Sequence, residues 1–164
     1  MRPTPDRVRE TLFNWLGQDL AGLSCLDLFA GSGGLGFEAA SRGASRVVMV
    51  ESAPRVFSAL DANARLLGAT AGRLEIVCKD AVRFVSSLRN TGLRFDVLFL
   101  DPPFEQGWID RLTPRLPEIL TEDGALYVEA EHAVHACGDW RTVRSGRAGQ
   151  VFYHLMRRGE PNGA

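Results

Sequence analysis

The residues Asp101-Pro102-Pro103-Phe104 follow directly on the apolar run "FDVLFL". A carboxylate, two stiffening prolines and an aromatic ring at the end of a buried strand suit the holding of a flat, amino-bearing substrate. An amine conjugated to a flat ring is a poor nucleophile because its lone pair is delocalised into the ring. A carboxylate at Asp101 and the carbonyl of Pro102, both accepting hydrogen bonds from such an amine, favour a pyramidal nitrogen and stabilise the positive charge it acquires on attack. Pro102 and Pro103 hold those acceptors in place, and Phe104 offers a stacking face for the ring. The same four residues also make an ordinary turn opener, so the reading depends on what surrounds them.

A second constellation lies near the start of the chain. In "DLFAGSGGLG", Gly31, Gly33 and Gly36 satisfy G-x-G-x-x-G, and Glu51 stands twenty residues after Gly31 at the end of the next apolar run. A strand, a glycine turn and a helix N-terminus let a nucleotide-like ligand approach the backbone, while a following carboxylate can accept both ribose hydroxyls. A dinucleotide would meet the helix dipole with its pyrophosphate, and an additional carboxylate beside it would repel the phosphates. Asp27, just before the loop, is such a carboxylate. It suits a cofactor that carries an ammonium group and no phosphate, as S-adenosylmethionine does. Asp80, in "VCKDA", is placed to meet an adenine amino group. Asp27, Glu51 and Asp80 thus form a series of acidic strand ends.

The elements that must position these residues follow from periodicity. "TPDRVRETLFNWLG" predicts an amphipathic helix with Thr4 as N-cap, Pro5 at the first helical position, a core stripe of Val8, Leu12, Trp15 and Leu16, and Gly17 after it. Apolar runs of strand length then alternate with helical stretches. The strands are "LSCLDLFA", "RVVMVE", "RLEIVCKD", "FDVLFLD" and "GALYVEAE". The helices are "GLGFEAASRG", closed by Gly43; "PRVFSALDANARLLG", closed by Gly68; "AVRFVSSLRN"; and "WIDRLTPRLPEIL", whose two prolines break or kink it. Near-continuous apolar strands separated by helices imply an α/β fold with a parallel sheet covered on both faces. "WRTVRSGRAGQVFYHLMRR" alternates around "SGRAGQ" and predicts an antiparallel hairpin at one sheet edge, giving a mostly parallel seven-stranded sheet. Residues 1–164 are expected to form a single domain with a short tail at 159–164.

Composition narrows the classes. At 164 residues and 45% apolar content the chain can bury one sizeable core. It contains no apolar run long enough to span a membrane and no signal-peptide pattern, so no membrane partner and a cytoplasmic location are expected. Cys25, Cys78 and Cys137 are odd in number and widely spaced, which fits reduced thiols. The net charge of -1 carries no global signal for a polyanion, but its distribution does. Asp139 to Arg158 holds five arginines against one aspartate, whereas Asp96 to Glu131 holds nine acidic residues and two arginines. Lys79 is the only lysine, and arginine suits phosphate forks and base stacking, although codon bias yields the same pattern. Arg2, Arg7 and Arg9, and the hairpin residues Arg144, Arg147 and Gln150, are candidates for polyanion contact or simple solvation. "EHAVHAC" brings Glu131, His132, His135 and Cys137 close together, but the spacing matches no zinc motif, and a solvated turn with no metal is expected.

"DLFAGSGGLGFEA", "VE", "KDA" and "DPPF", in this order and spacing, resemble the Rossmann-like (class I) methyltransferases that use S-adenosylmethionine. "RPTPDRVRETLFNWL" and "AGQVFYHLMRR" narrow the resemblance to the bacterial family that methylates the exocyclic amino group of a guanine in small-subunit ribosomal RNA. It runs from Arg2 to about Arg158. The resemblance implies cofactor contacts at Asp27, Phe29, Gly31, Gly33, Glu51, Asp80 and Ala81, and a catalytic loop at Asp101, Pro102, Pro103 and Phe104. It implies ribosomal RNA or a small-subunit assembly particle as partner. A monomer is expected because the chain forms a whole domain. Family members also carry an extension with a basic strand ahead of "RPT"; without it, reduced RNA affinity is expected. Three rival readings predict different things. A DNA adenine-N6 methyltransferase needs a target-recognition region. An NAD-dependent oxidoreductase needs a catalytic acid or base with a supporting partner beyond the fourth strand. A catalytically silent RNA-binding factor has no need of an intact Asp101 to Phe104.

Overall fold

A computed structural model of the chain describes residues 4–67 and 73–159. The helix α1 (Asp6–Leu16) precedes a regular alternation: β1 (Ser24–Asp27), α2 (Gly34–Ser41), β2 (Arg46–Glu51), α3 (Pro54–Leu66), β3 (Leu74–Cys78), α4 (Ala81–Ser87) and β4 (Phe95–Leu100). The expected break in the next helix is present, as α5 (Trp108–Leu112), a 3-10 turn at Thr113–Arg115 and α6 (Leu116–Ile119). The chain ends in β5 (Leu120–Ala130), β6 (Ala136–Cys137), β7 (Trp140–Ala148) and β8 (Val151–Arg158). The strands form one sheet in the order β3-β2-β1-β4-β5-β8-β7-β6. The pairs from β3 to β5 are parallel and those from β5 to β6 antiparallel.

Both faces of the central strands are apolar, which is why their sequences run without polar interruption. Cys25, Val47, Met49, Val97, Phe99 and Tyr127 point to one side, against Leu12 and Phe13 of α1, Leu35 and Ala39 of α2 and Leu60 of α3. Leu26, Val48, Val50, Leu98, Leu100 and Val128 point to the other, against Phe84 and Val85 of α4 and Leu112 and Leu116 further along. Each layer of helices thus buries one half of a period-2 pattern. Among the described residues no helix is long and apolar enough to cross a membrane.

Three expectations are corrected. The sheet has eight strands among the described residues, not seven. The additional one, β6, lies in the segment expected to be a plain solvated turn, where Ala136 and Cys137 pair with Arg141 and Trp140. That short pairing covers part of the outer edge of β7, whose backbone donors and acceptors would otherwise face solvent. Thr4 is not the N-cap of α1. The cap position falls at Pro5, and the Thr4 hydroxyl turns away to Glu129. Trp15 and Leu16 are only half-buried, and Phe13 takes the inner place in the stripe with Val8 and Leu12. Gly68 and Arg2 lie outside the described residues, as does the tail beyond Gly159.

Gly36 is the third glycine of the loop pattern, and it fixes how closely α2 lies on the sheet. A Cβ there would run into Sδ and Cγ of Met49, a fully buried residue of β2. Gly36→Ala is expected to destabilise the protein by about 1–3 kcal/mol through overpacking. A urea denaturation midpoint equal to that of the unsubstituted chain would refute this packing account.

Candidate active site

The parallel strands all end on one rim, and the sheet register sets the acidic residues there. Asp27 of β1 is level with Phe99 of β4, and Phe99 with Tyr127 of β5. Two residues further along, Asp101, just past β4, and Glu129, still within β5, therefore fall on the same face as Asp27. Asp27 is buried, and its Oδ1 accepts the Phe29 N–H at 3.2 Å. Burial pushes the Asp27 carboxyl up to about 7 against the pull of the Phe29 N–H, and the neighbouring carboxylates Glu129 and Glu51 add to the rise. A buried acid with this history is poised for a cation.

The glycine loop crosses the rim in a shape that side chains would obstruct. Gly31 and Gly33 have φ of 54° and 86°, in the left-handed region. A Cβ at Gly33 would also lie 2.6 Å from Leu60 Cδ1. The loop is anchored by Glu51, which is buried. Its Oε1 accepts the Gly31 N–H at 2.9 Å and its Oε2 the Ala53 N–H at 3.0 Å. The sequence suggested a ribose for Glu51, and in the structure this carboxylate holds the loop.

Two adjoining hollows flank the loop. The larger has a volume of about 460 Å³ and is lined by Thr4, Asp27, Phe29, Gly31, Arg55, Asn63 and Asp101, among others. The smaller, about 100 Å³, lies between Phe29, Glu51, Asp80, Ala81, Pro103 and Trp108. Phe29 belongs to both hollows, and its ring meets Trp108 edge-on at 5.2 Å. Asp80 is the N-cap of α4 and accepts the Arg83 N–H at 3.1 Å, so the carboxylate is held at the mouth of the smaller hollow. Pro102 is buried, Asp101 and Phe104 are half-buried, and Pro103 is exposed. The turn that follows places Glu105 at φ 65°, an unfavourable conformation for a residue with a side chain. Asp27, Phe29, Gly31 and Asp101 therefore share one hollow, and Glu51, Asp80, Ala81 and Pro103 share the next. Gly33, Pro102 and Phe104 line neither hollow.

Several site residues escaped sequence reasoning. Glu129 is buried and accepts hydrogen bonds from Tyr127 Oη and Thr4 Oγ1, both at 2.9 Å. Burial raises the Tyr127 phenol far above its usual range, with Glu129 adding to the shift, so the phenol stays protonated and donates. An acid at an inward position of "LYVEA" was a signal that could have been read. Trp108 gave none, since an exposed helix start is as good a home for tryptophan. Arg9 pairs with Asp6 and Glu38 and so ties α1 to α2, while Arg7 is exposed. Among the described residues no group of three or more metal-ligating side chains converges. His132 and His135 are exposed, and Cys137 is buried in the core.

Comparison with known proteins decides the family. A family model described as Conserved hypothetical protein 95 matches residues 1–157. The chain belongs to this family. Ribosomal RNA small subunit methyltransferase D of Escherichia coli is 38% identical over 163 residues, spanning 96% of this chain and 80% of the relative. The protein of the same name from Haemophilus influenzae is 37% identical over 161 residues, spanning 96% of this chain and 83% of its own length. A solved structure from Haemophilus influenzae superposes with a TM-score of 0.83 at 36% identity, covering 96% of this chain and 100% of that one. An RNA methyltransferase from Salinibacter ruber, solved with S-adenosyl-L-homocysteine, shares the fold alone, with a TM-score of 0.74 at 20% identity over 97% of this chain and 95% of that one. The fold of the family member described here is accordingly the class I methyltransferase fold.

Proposed function

We propose that this chain transfers a methyl group from S-adenosylmethionine to the exocyclic amino group of a guanine in small-subunit ribosomal RNA. The observation that carries the reading is the meeting of Asp101, Asp27 and the glycine loop in a single hollow. Asp27 lies buried under the loop, where a pyrophosphate would be repelled and an ammonium group attracted. Family membership supplies the acceptor, since the curated relatives carry small-subunit ribosomal RNA in their names. This setting implies work in the cytoplasm on RNA or on an assembling subunit.

Bound on this rim, S-adenosylmethionine supplies an electrophilic methyl group on a sulfonium centre. Asp27 takes the ammonium group, and Glu51 has lone pairs left for ribose hydroxyls after holding Gly31 and Ala53. Phe29, Ala81 and Trp108 enclose the adenine, with Asp80 toward its amino group. Asp101 and the Pro102 carbonyl accept from the guanine amine, orient its lone pair toward the methyl group and stabilise the charge that grows on nitrogen. The cofactor would supply the electrophilic methyl carbon and keep the sulfur electron pair, and the methylated nitrogen would pass its surplus proton to solvent. Phe104 stacks on the base.

Calorimetric titration with S-adenosylmethionine, S-adenosylhomocysteine and NAD, side by side, tests the cofactor. Binding of the first two and not of NAD is expected; NAD binding alone would overturn the reading. Methyl transfer to unmodified small-subunit RNA, followed by nucleoside analysis for N2-methylguanosine, tests the acceptor. Glu51→Ala is expected to weaken S-adenosylhomocysteine at least tenfold and to lower the Tm, because it removes a ribose acceptor and leaves two backbone donors unmet. Unaltered affinity in that variant would remove Glu51 from the cofactor site.

A further inference from the structure

A third cavity, about 330 Å³, lies at the same end of the sheet on the face opposite Asp27 and Asp101, between the β7–β8 hairpin and the segment after β5. Its floor is His154, which is buried and fully engaged. The Nε2 atom accepts the Val134 N–H at 2.9 Å, and Nδ1 lies 3.0 Å from the Val128 carbonyl. Burial lowers the His154 pKa, and the nearby His132 and His135 lower it further, so the floor is neutral. Thr142 closes one wall by donating to the Val134 carbonyl. The outer wall is Phe152, with the Arg147 guanidinium 5.0 Å from its ring centroid. Arg147 Nε donates to the Gly149 carbonyl at 2.8 Å, which tethers the guanidinium over the ring. Among the described residues neither Arg147 nor Arg144 is paired with a carboxylate, and both are exposed.

Register places this cavity beside the proposed chemistry. Ala130 pairs with Phe152, and Glu129 with Tyr153, so Phe152 lies on β8 at the level where the rim begins. Two strand spacings separate β8 from β4, after which Asp101 follows, a lateral offset of about 10 Å, with the cavity opening on the opposite face of the sheet. A guanidinium plane held over an aromatic ring is a shelf for a nucleobase, and unpaired arginines beside it suit the phosphates of the same strand. The His154 floor, with both ring nitrogens engaged, offers no free ligand atom to a metal ion.

We propose that this cavity receives an unpaired nucleotide next to the target guanine, its base stacked on the Arg147–Phe152 shelf and its phosphate near Arg144. This inference rests on the RNA reading of the active site and adds a second subsite to it. Phe152 and Arg147 are then residues that bind RNA without touching the reacting atoms.

The test is steady-state methyl transfer to unmodified small-subunit ribosomal RNA, with S-adenosylhomocysteine affinity and Tm measured on the same samples. Phe152→Ala and Arg147→Ala are expected to raise the KM for RNA by about tenfold, the scale of one lost base stack, with kcat within about twofold and cofactor affinity preserved. Arg147→Lys is expected to fail to restore KM, because lysine keeps the charge and loses the plane. Phe152→Leu keeps apolar packing and guards against a folding defect, and it too is expected to raise KM. Wild-type KM in Phe152→Leu and Arg147→Ala, with RNA methylated normally, would overturn the subsite and leave the active site standing. A fall in kcat at constant KM would also overturn it, as a structural effect. Absence of any transfer to RNA by the unsubstituted chain, with cofactor bound, would overturn both.

Discussion

Asp101→Ala is expected to lower methyl transfer by about two orders of magnitude or more while S-adenosylhomocysteine binds as before. The magnitude is that of removing one preorganised acceptor from a site where charge develops. The separation of the two effects follows from position. Asp101 stands just past β4 in the larger hollow, while the proposed ammonium and ribose contacts, Asp27 and Glu51, end β1 and β2. Asp101→Asn retains one acceptor oxygen and loses the charge, so its turnover should fall between that of Ala and that of the unsubstituted chain. Turnover in Asp101→Ala within a few-fold of normal would remove the carboxylate from the mechanism.

Asp27 gives the second large effect, visible in pH. Its carboxyl is raised from 3.8 to about 7 in the folded chain. Between those values the folded state holds a proton that the unfolded state has released, so unfolding gives up protons and stability falls as pH rises through this window. Above about 7 the folded protein carries a buried anion, a burden on the order of 4 kcal/mol from the size of the shift. An ammonium group beside Asp27 removes that burden, because the ionised form is then the favoured one. S-adenosylmethionine is therefore expected to bind more tightly, and to raise the Tm more, at pH 8 than at pH 6, with proton release on binding at the lower pH. Asp27→Asn should show the reverse trade: a more stable free protein at pH 8, and cofactor affinity reduced at least tenfold and flat between pH 6 and pH 8. A cofactor-induced Tm shift that is the same at both pH values in the unsubstituted chain would refute the assignment of Asp27 to the ammonium group.

The alternation of strands and helices was legible because β1, β2, β4 and β5 are apolar on both faces, and only a doubly covered parallel sheet accounts for that. The acidic strand ends were legible for the same reason, since Asp27 and Glu51 interrupt buried runs. The eighth strand was not, because β6 is two residues long and exists through its pairing to β7, which no local pattern encodes. Thr4 read as a cap because threonine before proline at a helix start is an ordinary signal. It turns instead to Glu129, 125 residues away, and a contact of that span leaves no trace in local sequence. The hold of Glu51 on the glycine loop was hidden similarly, since spacing shows where a carboxylate lies and not which backbone amides reach it first.

The Thr4–Glu129 hydrogen bond also orders events during synthesis. The wall of the larger hollow that Thr4 supplies is set only once β5 is in place, and β5 itself has β8 as its second neighbour in the sheet. A nascent chain lacking its last quarter has the glycine loop but neither Glu129 nor the strand that braces it. The Thr4 wall of the larger hollow is consequently completed only after the C-terminal strands have left the translating ribosome and joined the sheet.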